Sequence, residues 1–423
     1  METVMRDKNL IQKKYDLAKA DFKSFGVDTE AAMIGLDKTS VSLHCWQGDD
    51  VKGLEGDASD LTGGIMSTGN YPGIATNINE LRMDVDKAMS LLPGKQKLNI
   101  HAMYPDFDGK QPDRDKLTPE HFQGWIDWAK ERQMGLDFNP TIFSHDMFKD
   151  GMSMSHPDEK VRKFWIDHTI ATRDISNEIG KQLGVKCINN IWLADGIKDT
   201  PANRTSYRKR LKDSLDEVFE KSFDNDYHLD CVECKLFGIG SESFVPGSHE
   251  FYMGYAIEKG IGLTLESGHF HPTETISDKI GAALLYVDEI LLHVSRGVRW
   301  DSDHIVNLTD DTKAIARECV QNGTDRVHMG LDFFDGSVNR LAAWVIGTRA
   351  FQKALLIAML EPKGIIEAEE KLDFTTRLAL MEEAKQLDWG SVWDMYCIKS
   401  GVPAGYDWLD DVKKYETSVQ FKR

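Results

Sequence analysis

Eight short apolar runs recur along the chain, each ending in polar or glycine-rich residues and each followed by a helix-like pattern. They are SVSLHCW (40–46), KLNIHAMY (97–104), MGLDFNPTIF (134–143), KCINNIWLADG (186–196), LDCVECKLFGIG (229–240), IGLTLESGHF (261–270), EILLHVSRGVRWD (289–301) and RVHMGLDFFD (326–335). Strand–helix alternation implies a parallel sheet covered by helices. Eight rounds of it predict a closed (β/α)8 TIM barrel rather than an open doubly wound sheet. No G-x-G-x-x-G follows the first run, which argues against a dinucleotide-binding fold. TPEHFQGWIDWAKERQ (118–133) reads as one helix, opened by Thr118 with Glu120 taken as the reach-back cap. Segments 271–289 and 310–323 read as helices too, the second stopped by Asn-Gly. Beyond about residue 345 the pattern becomes helix upon helix. The expected layout is a helical lead over 1–39, a barrel over 40–345 and a helical extension over 346–423, of the kind that commonly packs on a neighbouring subunit.

Composition narrows the function. The chain has 423 residues, 41% of them hydrophobic, enough for a large core. Its net charge of −18, from 69 acidic against 51 basic residues, repels nucleic acid and anionic membranes. No apolar run is read as reaching the roughly 18 residues that span a bilayer. The opening METVMRDKNLIQKKYD is charged and lacks the apolar region of a signal peptide. The expectation is a cytoplasmic protein whose charge favours neutral substrates or cations, with no nucleic-acid or membrane partner. The six cysteines are scattered, so no disulfide framework is expected. CVEC (231–234) has no second pair and reads as buried structural thiols.

In such barrels the chemistry gathers at the C-terminal ends of the strands. Run five ends in Glu233 and Lys235, two apart and so on one face. Run six gives Glu266 and His269, with Gly268 between them permitting a bend. Run seven carries His293, then Asp301 and Asp303; run eight gives Asp332. Singly, an Asp at a strand end reads as a helix cap and a His as a core residue. Jointly, five carboxylates share one barrel mouth. Two like charges about 4 Å apart repel by roughly 4 kcal/mol at an effective dielectric near 20. Five would exceed a domain's whole stability of about 5–15 kcal/mol. Either their pKa values rise sharply or cations bind, and two divalent ions with Lys235 balance five negative charges. Oxygen ligands with a minority of imidazole suit Mn2+, Co2+ or Mg2+, with Zn2+ a further candidate.

At these residues the sequence resembles the L-rhamnose isomerases. SLHCWQGDDV, TGNYPG, LNIHAMY, GLDFNP, KLFGIGSES, SGHFHPTE, LLHVSR, VRWDSDH, GLDFFD and AAWVIGTR carry the resemblance in order from about residue 40 to 350. The resemblance implies a (β/α)8 fold, a homotetramer and two divalent ions per subunit, manganese foremost. Glu233, Glu266, His293 and Asp332 would hold the first ion. His269, Asp301 and Asp303 would help hold the second with a bound hydroxide, and Lys235 would face the polarised carbonyl oxygen. The family pattern often has Asp where Glu266 stands. His101, Phe138, Trp192 and Asp195 would complete the sugar pocket, and Val51, Leu61 and Met103 an apolar wall for the methyl group of a 6-deoxy aldohexose. The implied reaction interconverts L-rhamnose and L-rhamnulose. Hydrogen moves from C2 to C1 as hydride and the hydroxide moves a proton between O1 and O2; an enediol route competes. The rival readings are an isomerase for another sugar, a metal-dependent phosphoester hydrolase, which the charge disfavours, and a non-catalytic sugar-binding protein.

Overall fold

All eight apolar runs form strands: β1 Val41–His44, β2 Lys97–His101, β3 Gly135–Asn139, β4 Cys187–Trp192, β5 His228–Glu233, β6 Gly262–Glu266, β7 Ile290–Val294 and β8 Val327–Leu331. The computed structural model describes residues 7–55, 66–107 and 112–423. Each strand pairs in parallel with its sequence neighbours, and β8 returns to β1 with Val41 opposite Met329, which closes the barrel. A helix follows every strand: α3 Ile78–Met89, α4 Gln123–Glu131, α5 Glu159–Leu183, α6 Arg204–Val218, α7 His249–Lys259, α8 Ser277–Ala283, α9 Asp310–Asn322 and α10 Arg340–Met359. Two helices precede the barrel, α1 Lys8–Ser24 and α2 Thr29–Asp37. Four follow it: α11 Gly364–Glu370, α12 Phe374–Ala384, α13 Trp389–Lys399 and α14 Trp408–Ser418.

Several expectations change in detail. Segment 118–133 divides into a 3₁₀ turn, Pro119–Phe122, and α4. Its cap closes through His121, whose Nδ1 accepts from the Thr118 N–H at 2.9 Å, not through Glu120. Segment 271–289 is helical only over α8. The boundary at 345 falls inside α10, which packs along α9 and against β1. It is the closing helix of the barrel, not the start of an appendage. α10 also has the length and apolar composition of a membrane span, contrary to expectation, but 78% of its most apolar stretch is buried inside the protein. Trp344 shows why it is apolar: the ring is buried in the core and its Nε1 donates to the His44 carbonyl at 2.8 Å. Truncating a buried Trp to Ala typically costs about 3–5 kcal/mol.

The strands are buried on both faces, but the two faces differ in kind. Asp230 turns outward to Arg173 of α5 (2.8 Å), whereas Glu233, three residues on, faces inward. Inside, only Ile188, Leu229, Cys231 and Leu291 form an apolar plug. Elsewhere the strand interior is polar, with Ser42, Asn99, Asp137, Asn190 and Thr264 all buried. The six cysteines are buried and unpaired, and burial pushes the Cys231 and Cys234 thiols up.

The C-terminal residues dock on the barrel. Arg423 donates to both oxygens of the fully buried Asp84 on α3, at 2.8 and 2.7 Å. Glu416 and Gln420 accept from the Asn339 amide (2.8 and 2.7 Å), and the other end of Asn339 caps α10.

Candidate metal centre

The strand ends place Glu233, Glu266, His293 and Asp332 around the barrel mouth, and the loop after β7 brings Asp301 and Asp303 over it. That loop is pinned at its base by the Arg296 N–H to the His304 carbonyl at 3.1 Å. The ligand atoms fall into two triplets, Glu233–His293–Asp332 and Glu266–His269–Asp301, each with all its atoms within 4.8 Å of one another. This grouping differs from the one the resemblance implies: Glu266 sits with His269 and Asp301, and Asp303 belongs to neither triplet. His269 links the two, with Nδ1 3.5 Å from Glu233 Oε1 and Nε2 3.4 Å from Asp301 Oδ2. Its Nδ1 also lies 2.8 Å from the Cys234 carbonyl. With Nδ1–H donating there, Nε2 is left free for a ligand.

The bend between Glu266 and His269 depends on Gly268. Its N–H donates to Glu266 Oε2, and a Cβ added to it would sit 2.4 Å from Asp301 Oδ1. Hydrogen alone fits between the turn and the carboxylate. Gly268→Ala is therefore expected to push Asp301 out of place and lower kcat by about a hundredfold, the scale of a roughly 1 Å misplacement. Steady-state kinetics beside a thermal melt check this; unchanged kcat would show that the carboxylate relocates without cost.

Electrostatics report a site short of positive charge. Burial, then His293, act oppositely on Glu233, and the neighbouring imidazoles win, holding it at about 2. Burial raises Glu266 to about 7, with Asp301 and Asp332 adding to the rise. Burial and the same two carboxylates push Asp303 well up. Burial would discharge His269 and His293, yet their carboxylate neighbours raise both to about 9. Lys235 Nζ, 2.8 Å from Asp301 Oδ2, helps hold Asp301 low against its burial. Protons thus supply charge that Lys235 alone does not. Several buried atoms still lack hydrogen-bond partners: both Asp301 oxygens, Asp332 Oδ1 and His293 Nε2. Lys235 approaches Asp301 at ion-pair distance but not with hydrogen-bond angles. Orphaned carboxylate oxygens and an imidazole nitrogen converging on one mouth fit divalent cations.

The sugar-pocket expectations divide. Trp192 lines the cleft, with Lys235 Nζ 4.9 Å above its ring. Phe138 does not: it packs edge-on against Phe122 at 5.0 Å in the helical layer, and the next residue, Asn139, lines the cleft instead. Asp195 is occupied elsewhere; its oxygens accept from Ser153 N–H (2.7 Å) and from the Ser155 N–H and hydroxyl (2.9 and 2.6 Å). His101 has both nitrogens engaged, by Thr141 (3.2 Å) and by His44 (2.8 Å), and stacks behind Trp46 at 3.9 Å. Val51 and Met103 are buried in the apolar cluster that includes Trp46 and Trp192. Leu61 lies outside the described residues. The cleft also holds Trp46 and Phe334, which the strand-end reading does not name. Each is two residues past an inward-facing one, His44 and Asp332, and that spacing is their signal. His44 itself reaches Asp332, Nε2 to Oδ1 at 3.6 Å.

A family model described as L-rhamnose isomerase (RhaA) matches residues 9–423. The L-rhamnose isomerases of Salmonella paratyphi A and of Salmonella typhimurium (strain LT2) are each 54% identical over 415 residues, covering 98% of this chain and 99% of theirs. A solved D-tagatose 3-epimerase-like protein is similar in fold with a TM-score of 0.49 at 10% identity, over 75% of this chain and 98% of its own. A family match over nearly the whole chain, and relatives at this identity end to end, establish that the protein is an isomerase and belongs to the L-rhamnose isomerase family.

Proposed function

We propose that the chain interconverts L-rhamnose and L-rhamnulose by a hydride shift, with Glu233, His293 and Asp332 holding one divalent ion, manganese by preference, and Glu266, His269 and Asp301 a second. The two adjacent triplets are the observation that carries this reading. Ions bound there supply Lewis-acid polarisation of the sugar's C1 and C2 oxygens and a proton acceptor active near neutrality. Trp46, Trp192 and Phe334 wall the cleft, pack on the sugar and exclude water. The Lys235 ammonium faces the oxygen that gains negative charge. The C2–H bond breaks with its electron pair, which forms the new C1–H bond, and the O2 proton passes to O1. The commitment of the other surrounding acids and imidazoles supports hydride over enediol transfer; Asp303, which lines the cleft outside both triplets, is the base that an enediol route would use. Asp49 is tied to Tyr104 (2.8 Å), Asp195 to two serines, and His44 and His101 to each other, so none of these is a free base. The same reading carries a homotetramer, as the resemblance implies, and a cytoplasmic location.

Proton NMR of L-rhamnose in D₂O with the manganese-loaded protein tests it. L-rhamnulose forming without deuterium at C1 is the expected result. Ketose carrying deuterium at C1 would replace the hydride shift with an enediol. No ketose from L-rhamnose would overturn the substrate.

A further inference from the structure

Beneath Glu233 lies a hydrogen-bond chain with no part in substrate contact. Asn190, on β4, sits on the same face as Trp192 and one layer deeper, and Thr264 on β6 stands opposite Glu233 in the strand register. The Asn190 amide nitrogen donates to Glu233 Oε2 at 2.6 Å, and the Thr264 hydroxyl donates to Asn190 Oδ1 at 2.7 Å. All three side chains are buried. The direction of the chain is fixed by chemistry. An ionised carboxylate only accepts, so Asn190 must present its NH₂, which leaves its carbonyl to Thr264. The other carboxylate oxygen, Oε1, is thereby the one turned to His293 Nδ1 (3.1 Å) and His269 Nδ1 (3.5 Å).

We propose that Asn190, oriented by Thr264, is a positioning residue that fixes the rotation of the Glu233 carboxylate and so sets the metal affinity of the Glu233–His293–Asp332 triplet. The inference rests on reading that triplet as a metal site. Without the amide donor the carboxylate turns freely about its last bond, and one oxygen is left buried without a partner. With Thr264 changed to valine the amide stays but loses its orientation. Partners of this kind typically alter metal affinity by about 10–100-fold.

The test is titration of metal-free wild type, Asn190→Leu and Thr264→Val with Mn2+, followed by calorimetry and by the electron paramagnetic resonance signal of free Mn2+. Asn190→Leu keeps the branched shape and removes the donor. The expected result is a Kd raised about 10–100-fold at one site in Asn190→Leu and by a smaller factor in Thr264→Val, the second site unchanged, with kcat recovering as Mn2+ is raised to saturation. A merely structural role would not be rescued by metal. Wild-type affinity in folded Asn190→Leu overturns the proposal. Should that variant fail to fold, wild-type affinity in Thr264→Val overturns it instead. Wild type that binds no Mn2+ sinks the metal centre and this inference together. Wild type that binds Mn2+ but leaves L-rhamnose unchanged sinks only the proposed reaction.

Discussion

Asp301→Asn is expected to lower kcat by about a thousandfold or more while the protein stays folded. Losses of this size follow when one preorganised charge is removed from a buried reacting site. Asp301 is the anion on which Lys235 and His269 converge, and both its oxygens lack hydrogen-bond partners. An amide keeps the shape and loses both the charge and the second acceptor. The fold should survive because the site compensates. Asp301 is one of the charges that push Glu266 and Asp303 up, so with it gone those two ionise more readily and serve the same cations. Steady-state kinetics with L-rhamnose and a circular-dichroism melt read both halves. A kcat within tenfold of wild type would remove Asp301 from the chemistry, and a collapsed melt would mean that the charge is structural.

The second large effect is on stability. Stripped of metal, the protein is expected to lose several kcal/mol between pH 6.5 and pH 9. His269 and His293 have folded values of about 9 against 6.5 for the free group. A raised value for a base adds stability that is complete below 6.5 and is lost as pH rises through 9. At about 1.4 kcal/mol per pKa unit, each histidine contributes on the order of 3 kcal/mol. Glu266, at about 7 against 4.5, acts in the same sense at lower pH: the folded state holds its proton longer, so stability falls from 4.5 to 7. Glu233 acts oppositely, and its contribution is lost only as pH falls from 4.5 towards 2. Bound cations displace the borrowed protons, so addition of Mn2+ at pH 7.5 should release about two of them and flatten the profile. Urea melts across pH 6 to 9, with chelator and with Mn2+, measure the difference. Parallel profiles would show that the two imidazoles are neutral without metal.

Why the barrel is legible in the sequence and its pocket only partly so has a physical cause. Parallel strands are buried on both sides, so each shows as a short run rich in apolar residues, and the eight runs count the strands directly. Burial on both faces hides which residue faces inward. Phe138 and Asn139 are neighbours and both are buried, and hydropathy favours the wrong one. The metal-type residues escape this ambiguity because charge at a strand end is costly anywhere but in the mouth. Asp195 is misleading for a different reason: its partners, Ser153 and Ser155, lie 40 or more residues earlier in the chain, beyond any local pattern. Gly268 was legible as a bend, but not as the one position where only hydrogen fits against Asp301.

The locking of residues 416–423 onto the barrel bears on how the protein should be handled. Arg423 reaches past α14 to a fully buried aspartate, and Gln420 holds the cap of α10. An affinity tag fused after Arg423 leaves the guanidinium in place provided its linker turns outward at once. A reporter grafted by trimming the last four residues would strip Asp84 of its cation and Asn339 of an acceptor. Yield would then fall for reasons unrelated to the reporter, so fusions and surface tethers belong beyond residue 423 rather than in place of it.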